Sequence, residues 1–125
     1  MPEKNFVLKL NNGADIMQGI EKFANENEIE YGLFASGNGK IKDFELVLSE
    51  PKVGISKAKF NGEAELRAVS GKVQKSKGGK VNINLRVSVA STGYAPKTGG
   101  LVNGKASGAL EIGIKKVDLK KIIEG

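Results

Sequence analysis

The order of apolar and polar positions divides the chain into one helical segment followed by a series of strand-like segments. Phe6-Val7-Leu8-Lys9-Leu10 is a short β-type run that ends at the turn-rich Asn11-Asn12-Gly13. Asp15 then stands as an N-cap, with Gln18 three residues on as a partial capping box. Ile16, Ile20, Phe23 and Ala24 recur at helical spacing, and Glu21, Lys22, Glu26 and Glu28 occupy the other face. That pattern predicts a long helix over about 15–28.

From Tyr31 the period changes to two. Tyr31-Gly32-Leu33-Phe34-Ala35 is a short apolar run, and Ser36-Gly37-Asn38-Gly39 after it predicts a tight turn. Phe44, Leu46 and Leu48 alternate with Asp43, Glu45 and Val47. Between Val53 and Phe60 the parity shifts, apolar at Val53 and Ile55, then at Ala58 and Phe60, as a bulge or a strand covered on both faces would require. Asn61-Gly62 predicts a hairpin turn before a strand from Glu63 to Val73. The clearest strand sets Val81, Ile83, Leu85, Val87 and Val89 against Asn82, Asn84, Arg86 and Ser88. A Gly-rich loop is expected from Thr92 to Gly100, followed by Leu101-Val102 and an alternating strand through Ala106, Gly108, Leu110, Ile112 and Ile114. Residues 117–123 stay open between a loop and a closing turn of helix. The expected fold class is α+β: one long helix packed on a mostly antiparallel, curved sheet of six to eight strands, in a single domain over 1–125.

Composition narrows what such a domain does. A chain of 125 residues without Cys or His has no disulfide, no thiolate metal site, no cysteine nucleophile and no imidazole base or ligand. Trp is absent, and five Phe and two Tyr leave few rings for stacking bases. The expectation is therefore a binding module without a cofactor rather than an enzyme. The formal charge is +6, unevenly spread. Acids outnumber lysines in residues 1–50, whereas Glu63 and Glu65 are the only acids within 51–110. That basic middle suits a polyanion. Lys is far commoner than Arg, which favours point-charge contact with phosphates over base-specific readout. The start of the chain lacks an apolar signal-peptide region and no apolar run is long enough to span a bilayer, so a cytoplasmic location is expected.

Gly37-Asn38-Gly39 has no third Gly at the dinucleotide-binding spacing, because Lys42 stands there, so a strand–turn–strand corner is expected. Lys72, Lys75, Lys77 and Lys80 surround Gly78-Gly79, either as a hairpin tip that contacts DNA phosphates or as a solvated tip that blocks edge-to-edge pairing. Arg67 and Arg86 are further candidates for that DNA-contacting set. Arg86 either lines a cleft or pairs with Glu65 or Glu111. Asn82 and Asn84 put two amides on one strand face, about 7 Å apart. With Arg86 and the Gly99-Gly100 loop they form a candidate pocket for a small anionic ligand. Glu63 and Glu65 share a face but mark no acid–base pair.

Taken in order, several of these segments resemble the plant-and-prokaryote-conserved (PPC) domain, whose members are described as candidate DNA-binding proteins. Leu10-Asn11-Asn12-Gly13-Ala14-Asp15-Ile16 with Phe23-Ala24 resembles the family's Gly-x-Asp-Ile helix entry and Phe-Ala pair. Gly37-Asn38-Gly39-Lys40-Ile41, Ala64-Glu65-Leu66 with Val69-Ser70-Gly71, and Thr98 to Gly104 are similar to its Gly-x-Gly turn, its Glu-Ile-Leu-Ser-Leu-Ser-Gly strand and its Gly-Gly loop. The resemblance runs from about Phe6 to Ile114 and implies a fold related to that of acetolactate decarboxylase and a homotrimeric assembly. It also implies a metal site in many prokaryotic members, built from a His-x-His and a later His. Here the His-x-His positions fall on Asn82-Ile83-Asn84, and the later His on Leu101, or on Gly100 if aligned from Gly104. No metal is expected. The AT-hook of the plant relatives is absent from this sequence.

Overall fold

A computed structural model describes residues 3–50 and 54–117. Its elements run β1 (Glu3–Leu10), α1 (Ile16–Glu26), β2 (Tyr31–Glu50), β3 (Gly54–Lys75), β4 (Val81–Ser91) and β5 (Tyr94–Val117). The strands form one antiparallel sheet in the order β1-β5-β2-β3-β4, and β4 also pairs with β5. The ladder therefore closes on itself through β2, β3, β4 and β5. The β4–β5 ladder covers only Arg86 to Ser91, and α1 packs against β5, β4 and β1.

The helix is shorter than its pattern predicts. Asp15 caps it, accepting a 2.9 Å hydrogen bond from the Gln18 amide. It stops at Glu26 because the Asn27 amide and side chain both donate to the Phe23 carbonyl, and Glu28 then turns left-handed at φ 51°. Ile16, Ile20 and Ala24 are buried on its inner face. They meet Phe34, Ile41, Phe44 and Leu46 of β2, Leu66 and Val73 of β3, Leu85, Val87 and Val89 of β4, and Leu110, Ile112 and Ile114 of β5 in one core. Burying each such aliphatic side chain contributes about 1.5–3 kcal/mol.

Five long strands replace the six to eight expected, because two predicted turns lie within strands and most of a predicted loop is strand. Ser36 to Gly39 lies inside β2, where glycine serves close approach rather than chain reversal. A Cβ on Gly37 would stand 2.6 Å from Leu66, and one on Gly39 2.7 Å from the Ala109 carbonyl. Asn61-Gly62 makes no hairpin. It is a bulge in β3, where the register slips between Lys42 and Phe44, Gly62 takes φ 93°, and its amide donates to Asp43 Oδ1 at 3.3 Å. The Gly-rich segment after Thr92 is strand as well: Ser91 pairs with Tyr94 across Thr92-Gly93, and β5 continues through Gly100. Val53 and residues 118–123 lie outside the described residues.

Candidate nucleic-acid interface

The β3–β4 connection is the basic tip. The Ser76 amide donates to the Lys80 carbonyl at 2.8 Å and the Gly79 amide to the Ser76 carbonyl at 2.9 Å, which closes the turn. Lys77 and Lys80 are exposed on it. Lys75 is half-buried, and its amide is held at 2.8 Å by the Glu30 carbonyl, which ties the tip to the end of the helix connection. Lys72 lies exposed on the outer face of β3 with its Nζ 5.8 Å from the Tyr31 ring centroid. None of these four lysines forms an ion pair with a described residue.

The register adds a residue that sequence reasoning missed. Lys72 faces Leu33, and Leu33 faces Lys115 on its other side. Lys115 is therefore in the same outer row as Lys72, two strand spacings or about 10 Å away. It stands 43 positions after Lys72 in the sequence, so only strand pairing could reveal it.

The two arginines lie elsewhere. Arg67 is eight residues of strand from Lys75, on the order of 25 Å of extended chain, and its Nε is 3.5 Å from Glu65 Oε1. Arg86 stands between Ser70 and Gly100 on the outer face. It pairs with neither Glu65 nor Glu111: Glu65 is taken by Arg67, and Glu111 faces Lys9 and Asn38. Asn84, opposite Lys72, and Asn82, opposite Gln74, are exposed on that same face of β4. Gly100 offers open space, with nothing within 4 Å of where a Cβ would be. Gly99 points inward, its Cβ position 2.5 Å from the Val47 carbonyl.

The same row tests the metal site. Leu101 is 6% exposed and packs in the core, so it cannot share a ligand set with the outward Asn82 and Asn84. Gly100 does lie on the outer face, which favours the alignment made from Gly104, but it carries no side chain. Two neutral amides flanked by the Lys72 and Arg86 cations do not fit a divalent transition ion, which needs converging nitrogen, sulfur or anionic oxygen donors. Among the described residues no three acidic side chains converge either.

The sequence model of the Plants and Prokaryotes Conserved (PCC) domain matches residues 1–118. The chain belongs to this family. Solved structures share the fold. A plant- and prokaryote-conserved protein of Pyrococcus horikoshii superposes with a TM-score of 0.76 at 21% identity, over 91% of this chain and 78% of that one. A metal-containing protein of Archaeoglobus fulgidus gives 0.76 at 23% identity, over 91% and 79% of the two chains. A candidate DNA-binding protein of Bacteroides thetaiotaomicron gives 0.76 at 23% identity, over 90% and 77%. At these identities the likeness concerns the fold. Among curated proteins none matches the chain. No helix of the described residues is long and apolar enough to cross a membrane.

Proposed function

We propose that this PCC-domain chain is a non-enzymatic, homotrimeric module that contacts DNA phosphates without sequence preference. The observation that carries this reading is the tip, where Lys72, Lys75, Lys77 and Lys80 lack carboxylate partners among the described residues. An unpaired surface lysine releases a phosphate counterion on binding, so affinity falls with salt in proportion to the number of contacts. The candidate DNA-binding relative of the same fold supports it. The trimer rests on the family resemblance, and the outer face suits it: Val7 is 54% and Leu33 39% exposed, on the two strands flanking β5, opposite Gly113 and Lys115 respectively. Three copies would repeat the tip by symmetry and raise avidity.

Titration of a generic fluorescent duplex at 50 and 200 mM salt is the test. Four phosphate contacts predict a loss of affinity on the order of 100-fold between the two. Absence of binding at low salt, or salt-independent binding, defeats the proposal.

A second reading has its own observation, the exposed Arg86 guanidinium beside the open space at Gly100. There Arg86 would hold the charged group of a small anion, with Asn84 orienting it. Stabilisation by small acids or nucleotides, abolished in Arg86→Gln and indifferent to DNA, would place this reading first.

A further inference from the structure

Away from the tip, the outer face carries a depression of about 470 Å³ between β3 and the β4–β5 turn. By strand count its wall at Ala90 is four residues, or about 13 Å, from Arg86, so it is separate from the Gly100 cleft. Four charged side chains line it, two of each sign: Lys40, Glu63, Glu65 and Arg67. Lys40 and Glu65 face each other across the β2–β3 ladder.

These charges are incompletely partnered. Lys40 Nζ is 3.9 Å from Glu63 Oε2, and Arg67 Nε is 3.5 Å from Glu65 Oε1. Both separations exceed the roughly 2.7–2.9 Å of a strong charge-assisted hydrogen bond. Arg67 engages its Nε and leaves the outer nitrogens of its fork for another acceptor. Glu63 is fixed from below instead: the buried Ser107 hydroxyl donates to its Oε1 at 2.7 Å. Its carboxylate is thus held in place by the fold. Small and hydroxylated residues, Ala64, Ala90, Ser91 and Thr92, make the remaining wall.

A simple anion in this depression meets two attractive and two repulsive groups, and so does a simple cation. A small molecule bearing both charges a few ångströms apart satisfies both sets. We propose that the depression binds a zwitterion of the α-amino acid class, its ammonium on Glu63 and Glu65 and its carboxylate on Arg67 and Lys40. This inference does not depend on the DNA reading.

The probes are the twenty free L-amino acids, tested singly by thermal shift, and for each hit its N-acetyl and carboxamide derivatives. At least one free amino acid is expected to raise Tm by roughly 3–6 °C at ten times its Kd. Both derivatives, each lacking one charge, should lose the effect. Glu65→Gln and Arg67→Gln alter exposed side chains, so they should melt near the parent temperature without ligand and show at most a tenth of the parent's affinity. The proposal is overturned if no amino acid shifts Tm, if either derivative or a simple diamine works as well as the free amino acid, or if both variants keep parent affinity. Should a variant fail to fold, the derivative comparison on the parent protein decides alone.

Discussion

The tip and the depression are both rich in charge, yet they differ in partnership. At the tip, four lysines stand without carboxylates among the described residues, so their fields add and reach outward. In the depression each cation has a carboxylate within 4 Å, and Glu63 is pinned by Ser107. The first arrangement suits a long polyanion and is screened by salt. The second is nearly neutral at a distance and discriminates only at contact. Counting charges along the chain merges the two, because Glu63, Glu65, Arg67 and the tip lysines all belong to the same basic segment.

The largest expected effect separates the regions by salt. Replacing Lys72, Lys75, Lys77 and Lys80 by Ala should remove most of the roughly 100-fold salt dependence of DNA binding and lower the log–log slope by about 3–4. The same variant should leave amino-acid thermal shifts unchanged. An unaltered salt slope in anisotropy titrations would mean that phosphates are met elsewhere.

Next, Leu33→Glu puts a charge between Lys72 and Lys115 on the face proposed to meet other copies. Light scattering should show three chains becoming one, with much weaker DNA binding through lost avidity. A trimer that survives this change does not use that face.

Backbone changes sharpen the contrast at a smaller scale. Gly39, next to the depression, takes φ 130° against the Ala109 carbonyl, and Gly39→Ala should cost about 1–3 kcal/mol in denaturant unfolding. Gly78 at the tip meets nothing within 4 Å. Gly78→Ala should stay within about 0.5 kcal/mol. Equal costs at both sites would contradict the close packing of β2 on β5.

The smallest expected effect is none. Chelator should leave Tm unchanged, since the outer row offers amides and cations, and elemental analysis should find no stoichiometric zinc, nickel, iron or manganese. One transition ion per chain would show that other groups have formed a site.

Much was legible before the fold was known. The helix cap at Asp15, the inner face Ile16-Ile20-Ala24 with Phe23 half-buried at its edge, and the alternation of β4 are legible in the sequence, because each depends on neighbours within a few residues. The turns at 36–39 and 61–62 were misread for a specific reason. Glycine marks chain reversal, the close packing seen at Gly37 and Gly39, and the left-handed bulge position taken by Gly62 alike, and only a facing strand tells them apart. The site residues divide along the same line. The tip lysines are adjacent in sequence and were found together, whereas Lys115 joins Lys72 only through the register of two ladders. Arg86 lost its anticipated carboxylate because Glu65 is spent on Arg67.

The α+β class, the apolar faces, the lack of imidazole and thiol groups, and the lysine-rich tip are all set by the order of residues. These follow from residue type and from periods of 3.6 and 2, which act locally. Only the fold settles that four strands, β2 to β5, close on themselves with β1 outside the ring, that Leu101 enters the core while Gly100 stays outside, and that Ser107 holds Glu63 across 44 residues. Those outcomes depend on strand register, and a shift of one residue would exchange the two faces of a strand.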